Sequence, residues 1–237
     1  MIVLGHRGMP SRRIAENTLL SFMQALQAGC DGIEFDVRLS KDEVPVIVHD
    51  DNLARVAGDA RRVNDLTAKE LLAIQLRGAG NIPTLNDVTT WIPAPAILNI
   101  EIKSSEATDA VISKLKTSAS LRERTIVSSF HTDAMKKCLE QLPDVRRQAM
   151  LPTWFLPGRT GSKWEEVAEL QPWSVGINIS NLNRKRVDWL HERGVLVGAF
   201  ESRPSSRASR KMVAIGVDVV MTYRPDVARA SVGVGEP

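Results

Sequence analysis

The chain has 237 residues, a length that suits either one large α/β domain or two small ones. Its 31 basic and 28 acidic residues leave a net charge of only +3, and the basic residues are dispersed, which excludes a nucleic-acid-binding protein by composition. No apolar run is long enough for a membrane-spanning helix, and the N-terminus lacks a signal-peptide pattern. Because the two cysteines form no C-x-x-C pair, we expect free thiols and a cytoplasmic protein.

Short β-branched runs alternate with amphipathic segments along the whole chain. The runs predict strands over residues 2–5, 32–37, 96–102, 125–129, 147–151, 175–179, 195–200 and 217–222. Helices are predicted over residues 18–28, 107–118, 132–142, 164–171, 183–193 and 206–215. Such alternation predicts parallel strands joined by crossover helices, and eight repeats favour a closed TIM-type (β/α)8 barrel over an open sheet.

Two segments after the second predicted strand interrupt this alternation. Residues 38–50 read as two extended stretches around a turn at residues 40–43, which predicts a β-hairpin arm. Residues 51–83 are mixed and polar, with one short helix around residues 68–75, and we interpret them as a small insertion at the catalytic end of the barrel. No Gly/Ser linker or low-complexity tract divides the chain, so we predict a single domain over residues 1–237.

Ionisable side chains collect at the predicted C-terminal ends of the first three barrel strands, where the catalytic groups of such barrels lie. Taken singly, a Glu-x-Asp or His-Asp pair is usually a polar edge or a turn. Several ionisable groups at one barrel mouth would each cost burial energy, so together they indicate a functional site. The group consists of His6 and Arg7 after the first strand, Glu34 and Asp36 on the second, His49 after the hairpin, and Glu101 and Lys103 on the third.

The residue types in this group suit phosphodiester cleavage. Three converging carboxylates require a cation, and the oxygen-only set of Glu34, Asp36 and Glu101 favours one hard divalent ion, Mg²⁺ or Ca²⁺. The two histidines suit acid–base catalysis, because imidazole titrates near neutral pH. The arginine and the lysine supply cationic donors for a phosphate group. The predicted partner is therefore a small-molecule phosphodiester substrate.

The order of short motifs along the chain extends this interpretation. His-Arg-Gly at residues 6–8, Glu-Asn-Thr at 16–18, Ile-Glu-Phe-Asp-Val at 33–37, His-Asp at 49–50 and Glu-Ile-Lys at 101–103 resemble the glycerophosphodiester phosphodiesterase family, a group of phosphatidylinositol-phospholipase-C-like TIM-barrel enzymes. The resemblance implies one divalent metal ion and hydrolysis of a glycerophosphodiester to an alcohol and glycerol 3-phosphate. Carried over by position, it implies Glu34, Asp36 and Glu101 as metal ligands, His6 and His49 as the acid–base pair, and Arg7 and Lys103 as phosphate contacts.

The chain departs from the family pattern at the ends of its last two strands. Phe200-Glu201 stands where the family commonly has Trp-Thr, and Tyr223 stands where it commonly has Asp. Trp154 and Phe155 lie in the loop after the fifth strand, on the catalytic face. These four aromatic residues, Trp154, Phe155, Phe200 and Tyr223, are the predicted specificity rim around the leaving group.

Other functions compete with this prediction. A related phosphodiesterase could act on a lysophospholipid or a sugar phosphodiester, and the altered rim keeps this alternative open. A non-catalytic binding protein would need loss of a histidine or a metal ligand, and none is lost. A barrel lyase or aldolase would need a Schiff-base lysine, for which Lys103 is the candidate. The neighbouring Glu101 and the two histidines favour a phosphodiesterase site instead.

Overall fold

A nine-stranded sheet organises the part of the chain that the computed structural model describes, residues 1–152 and 164–232. Eight of the strands are parallel, and β1 pairs with both β2 and β9, so the sheet closes on itself. The predicted TIM-type barrel is confirmed. The strands are β1 (Ile2–His6), β2 (Gly32–Leu39), β3 (Pro45–Ile47), β4 (Ile97–Ile102), β5 (Thr125–Ser129), β6 (Arg146–Leu151), β7 (Ser174–Asn178), β8 (Leu196–Phe200) and β9 (Val219–Thr222).

All six helices predicted between the barrel strands are present, three further helices at residues 85–91, 119–123 and 225–232 were not predicted, and several helices begin at a side chain that caps the first turn. The Thr18 hydroxyl accepts a hydrogen bond from the Ser21 backbone N–H at 3.2 Å, which fixes the start of the first helix. The helices are α1 (Leu19–Gln27), α2 (Ala54–Ala57), α3 (Ala68–Leu72), α4 (Leu85–Trp91), α5 (Thr108–Lys116), α6 (Ala119–Glu123), α7 (Thr132–Gln141), α8 (Trp164–Ala168), α9 (Arg184–His191), α10 (Ser206–Ala214) and α11 (Pro225–Val232). No helix in these described stretches has the length and apolarity needed to cross a membrane.

The predicted hairpin arm is present after β2. The short strand β3 pairs antiparallel with β2, with Leu39 opposite Pro45 and Val37 opposite Ile47. Residues 51–83 follow it and contain α2 and α3, and their apolar side chains form a small cluster apart from the barrel core. This insertion cluster comprises Leu53, Val63, Leu66, Leu71, Leu76 and Ile82, together with Val46, Val48 and Ala15. The sequence did not reveal the cluster, because its members are scattered singly among polar residues.

The two faces of the barrel strands carry different chemistry. On β4, Leu98, Ile100 and Ile102 point outward and pack in the apolar core beneath the helices, whereas the intervening residues point into the barrel. The barrel interior is largely polar there. Asn99 donates to Gln148 at 3.1 Å and accepts from the Ser128 hydroxyl at 2.8 Å, so these buried groups satisfy one another.

We predict that Asn99→Ala lowers the free energy of unfolding by about 2–3 kcal/mol, because it removes the hydrogen-bond partner of two buried polar groups. Urea unfolding followed by circular dichroism measures the change. Asn86→Ala is the matched control, since Asn86 is exposed on α4 and should change stability by less than about 0.5 kcal/mol. Equal stability of the two variants would contradict the structural role of the interior network.

Candidate active site

Strand register brings the three predicted carboxylates together at the mouth of the barrel. Asp36 on β2 is the direct neighbour of Glu101 on β4, and His6 on β1 is the direct neighbour of Glu34 on β2. Because residues two apart on a strand share a face, Glu34 and Asp36 both point inward. One oxygen atom from each of Glu34, Asp36 and Glu101 lies within 4.8 Å of the others, and all three residues are buried.

The electrostatics of this carboxylate cluster fit a bound cation. Burial, and then the charges of Asp36 and Glu101, raise the pKa of Glu34 well above its usual value. Burial alone would also raise the pKa of Asp36, but Arg7 and Lys103 hold it below its usual value. Glu34 Oε1 and Asp36 Oδ1 are buried without a hydrogen-bond partner. An oxygen-only donor set with unused lone pairs is suited to a hard divalent ion.

The loop after β1 holds these groups in place. The Arg7 backbone N–H donates to Glu34 Oε2 at 2.9 Å, and the Asn17 side-chain amide donates to Asp36 Oδ2 at 2.7 Å. Both loop residues adopt the left-handed conformation, with φ of 54° at Arg7 and 57° at Asn17. A Cβ at Gly8 would lie 2.5 Å from the Ser21 backbone, so only glycine lets the loop approach α1.

The two predicted phosphate contacts border the carboxylate cluster. Lys103 Nζ lies 2.7 Å from Glu101 Oε1 and 3.7 Å from Asp36 Oδ1. Arg7 Nε lies 3.2 Å from Asp36 Oδ2. Burial would lower the pKa of Lys103, but Glu101 and Asp36 raise it above its usual value, so the ammonium stays charged. Both cations are partly buried, which strengthens their attraction for an anion.

The two predicted catalytic histidines lie at the same mouth in different surroundings. His6 is buried, with Nε2 3.8 Å from Glu34 Oε2 and no partner on Nδ1. Burial, and then the Arg7 charge, lower the pKa of His6 well below its usual value, which favours the neutral imidazole. His49 is partly exposed, and its Nδ1 lies 2.6 Å from Asp50 Oδ1. With Nδ1–H donating to that carboxylate, Nε2 is left free for proton transfer.

Nearly the whole chain matches one known protein family. The model of the glycerophosphoryl diester phosphodiesterase family matches residues 6–227. The chain belongs to this family. Membership confirms the family and the enzyme class expected from the sequence, a phosphoric diester hydrolase.

Relatives of the family resemble the chain over nearly its full length. A glycerophosphodiester phosphodiesterase of Caldanaerobacter subterraneus is 27% identical, with 95% of each chain covered. The crystal structure of a glycerophosphodiester phosphodiesterase from Thermotoga maritima is 30% identical, with a TM-score of 0.77 over 99% of this chain and 98% of that one. An Oleispira antarctica phosphodiesterase, solved in complex with its product sn-glycerol-3-phosphate, is 25% identical, with a TM-score of 0.86 over 98% and 97%.

The structure describes two of the four residues of the predicted specificity rim, Phe200 and Tyr223. Phe200 lines the cleft of about 870 Å³ that opens above His6, His49 and Lys103. Tyr223 also contacts the cleft, but it is 4% exposed and packs on His6 with the ring centroids 4.6 Å apart, so it lies deeper than a rim residue. Trp154 and Phe155 fall outside the described residues.

The two departures from the family pattern touch each other. Glu201 is buried and its Oε1 accepts hydrogen bonds from the Thr222 hydroxyl at 2.7 Å and the Tyr223 backbone N–H at 3.0 Å. Burial raises the pKa of Glu201 above its usual value. Its two hydrogen bonds tie Glu201 to the turn that carries Tyr223, so the two departures from the family pattern are in direct contact.

Sequence reasoning missed Phe130 as a lining residue of the cleft. It is 41% exposed, its ring lies edge-on to Phe200 with the centroids 6.3 Å apart, and Lys103 Nζ is 5.8 Å from its ring centre. Its position immediately after β5 was the available signal, because residues that follow parallel barrel strands face the same mouth. Glu16 and Arg55 also line the cleft, although the sequence assigned them no role.

We predict that the metal-free protein binds Mg²⁺ or Ca²⁺ with an affinity that rises with pH. Because the raised pKa of Glu34 favours its protonated form, binding must release a proton, so lowering the pH through that pKa weakens binding. Isothermal titration calorimetry at about pH 6 and about pH 8 in buffers of different ionisation enthalpy measures both effects. Glu34→Gln should remove the proton release, and a pH-independent affinity in the unmodified protein would contradict the prediction.

Proposed function

We propose that this chain hydrolyses a glycerophosphodiester to an alcohol and glycerol 3-phosphate, using one divalent metal ion and two histidines. The observation that carries the proposal is the buried cluster of Glu34, Asp36 and Glu101 beneath a cleft that His6 and His49 both line. We assign the three carboxylates as ligands of Mg²⁺ or Ca²⁺. Bound there, the ion would neutralise the carboxylates and stabilise negative charge on a phosphoryl oxygen.

Arg7 and Lys103 are the proposed phosphate contacts. Both cations border the carboxylate cluster and line the cleft, so a phosphodiester at the mouth would meet them beside the metal ligands. Arg7 presents a planar group with several donors, and Lys103 presents a compact charge. We assign the phosphate group of the substrate to the space beside these two cations, with its glycerol and alcohol arms in the cleft.

His6 and His49 are the proposed acid–base pair. One takes the proton of the attacking oxygen. The other gives a proton to the oxygen of the leaving group, which therefore departs as a neutral alcohol and not as an alkoxide. Asp50 fixes the tautomer and the ring orientation of His49, and Tyr223 fixes the ring of His6 by packing. The Oleispira antarctica phosphodiesterase with bound sn-glycerol-3-phosphate supports the choice of product.

The direct test is an assay that couples released glycerol 3-phosphate to a dehydrogenase, run over several glycerophosphodiesters with and without EDTA. We expect turnover that EDTA abolishes and added Mg²⁺ or Ca²⁺ restores, because Arg7 and Lys103 pair with Asp36 and Glu101 but do not supply the Lewis acid that would stabilise charge on a phosphoryl oxygen. Full turnover after exhaustive chelation would contradict the metal assignment. Release of the alcohol without glycerol 3-phosphate would contradict the proposed bond cleavage.

His6→Ala and His49→Ala should each lower kcat by about 10²–10⁴-fold, the usual effect of removing a general acid or base. If the two act as a unit, the double variant should be scarcely slower than either single one. Thermal unfolding checks that the fold persists. His191→Ala is the matched control, since His191 lies at the end of α9 and pairs with Asp218 on the surface. A near-normal kcat in either catalytic variant would disprove the pairing.

A lysophospholipid is the second candidate substrate, favoured by the aromatic wall that Phe130 and Phe200 form in the cleft. The human lysophospholipase D GDPD1 is 30% identical over 156 residues, which are 60% of this chain and 49% of that protein. An exposed apolar wall would accept an acyl chain or a bulky leaving group at little cost. The glycerophosphodiester nevertheless remains the first choice because the cleft is otherwise strongly charged.

We predict that Phe130→Ala and Phe200→Ala change substrate preference and not metal dependence. Each should alter the ratio of kcat/KM between a lysophospholipid and glycerophosphoethanolamine by about 10-fold, since apolar contacts discriminate by about 1–3 kcal/mol. Tyr223→Asp is a poorer probe, because the Tyr223 ring packs on His6 and the change would put a carboxylate beside a proposed catalytic residue. Ratios equal to those of the unmodified enzyme in both variants would show that the wall does not contact the leaving group.

A further inference from the structure

Arg55 lies on the insertion, in the first turn of α2, yet its side chain reaches the catalytic mouth. Its Nε donates to Asp50 Oδ2 at 2.6 Å. Its two terminal nitrogens donate to the two oxygens of Glu16, at 2.9 Å and 2.7 Å. One guanidinium group therefore bridges two carboxylates that belong to different loops, with the paired geometry that arginine forms with a carboxylate.

Each of these carboxylates also contacts a residue of the proposed catalytic machinery. The other oxygen of Asp50 lies 2.6 Å from His49 Nδ1. Oε1 of Glu16 accepts a hydrogen bond from Arg7 Nη1 at 3.0 Å. A continuous row of charge-assisted hydrogen bonds thus runs from His49 through Asp50, Arg55 and Glu16 to Arg7. We call this row the relay.

The relay is more than an ordinary surface ion pair. Isolated exposed pairs contribute little, but paired geometry and networks are the recognised exceptions. The side chains of Glu16 and Asp50 are only 15% and 24% exposed, and Arg55 is 49% exposed. Burial would raise the pKa of both carboxyl groups, but the hydrogen bonds from Arg55 hold both pKa values below their usual range. Both groups are therefore ionised and bound to the guanidinium at neutral pH.

The insertion cluster fixes the backbone from which Arg55 projects. Leu53, at the start of α2, is fully buried in that cluster, and Val56 packs against it. The Arg77 backbone N–H also donates to the Val56 carbonyl at 2.7 Å. The start of the side chain is thus anchored, so fewer of its conformations must be lost when the guanidinium binds both carboxylates.

We propose that Arg55 is a positioning residue that aligns His49 through Asp50 and Arg7 through Glu16. The proposal rests on the function proposed above for His49 and Arg7. Without Arg55, Asp50 loses the partner that holds its carboxylate against Nδ1, and the imidazole is free to turn. Glu16 would then pair with Arg7 alone and draw its guanidinium away from the phosphate position.

The test compares Arg55→Gln with Arg61→Gln in the glycerol 3-phosphate assay. Arg61 is the matched control because it lies in the same insertion, is 54% exposed and binds the Asp59 carboxylate in the same paired manner, but does not line the cleft. We expect Arg55→Gln to lower kcat by about 10–100-fold and to raise KM, as loss of an outer partner of an active-site group commonly does. Arg61→Gln should keep both values.

The two branches of the relay should separate kinetically. Asp50→Asn should lower mainly kcat, because its effect passes through the acid–base histidine, and Glu16→Gln should raise mainly KM, because its effect passes through the phosphate contact. In a His49→Ala background, Asp50→Asn should have no further effect on kcat. A purely structural role would lower thermal stability without this division between kcat and KM.

Rescue by a small cation gives an independent readout. Millimolar guanidinium chloride should restore part of the kcat of Arg55→Ala by occupying the vacated position between Asp50 and Glu16, and should not stimulate Arg61→Ala. If Arg55→Gln and Arg55→Ala unfold at the assay temperature, Arg55→Lys replaces them as the test variant. It keeps the charge but cannot bridge both carboxylates in the same way, so its kcat should still fall.

The outcomes separate the two proposals. An Arg55→Gln variant that matches Arg61→Gln in kcat and KM, beside an inactive His49→Ala variant, would overturn the positioning role alone. Full additivity of Asp50→Asn and His49→Ala would overturn the His49 branch. An unmodified enzyme that releases no glycerol 3-phosphate, or a fully active His49→Ala variant, would contradict the proposed function itself.

Discussion

The convergence of Glu34, Asp36 and Glu101 at one end of the barrel is the constraint on which the rest of the site depends. Three buried carboxylates repel one another, and the raised pKa of Glu34 records that repulsion. Arg7, which follows β1, and Lys103, which follows β4, offset part of the charge from the two sides of β2. Three features hold these like charges at short range. They are the left-handed turn at Arg7, the side-chain amide of Asn17, and the alternation of β2 and β4 residues that points the carboxylates into the barrel.

Much of this arrangement could be predicted from the sequence because it depends on local periodicity. The pairs Glu34/Asp36 and Glu101/Lys103 are two residues apart, and in a closed parallel barrel the ends of all strands meet at one mouth. The strand positions and the six predicted helices followed from β-branched runs and capping residues, with errors of a few residues at the ends, whereas α4, α6 and α11 were not predicted. The predicted helices mostly extend past the observed helix ends, because the last residues of the amphipathic segments form turns in the structure.

The parts that could not be predicted depend on how distant loops approach one another. Tyr223 was expected at the rim because it follows the last strand, but its backbone N–H donates to Glu201 and its ring packs on His6. Nothing in the pattern around Arg55 indicates that its guanidinium reaches Glu16, 39 residues earlier in the chain. That contact requires the path of the whole insertion, whose apolar residues show no helix or strand period.

The separate apolar cluster of the insertion gives this segment a stability of its own. Because it is much smaller than the barrel core, an opening of residues 51–83 alone would require less free energy than global unfolding. Each such opening would withdraw Arg55 while the barrel stays folded. The fraction of molecules with aligned catalytic groups would then equal the fraction with a closed insertion. Mutations or temperature changes could thus alter turnover through this local equilibrium without touching any residue that meets the substrate.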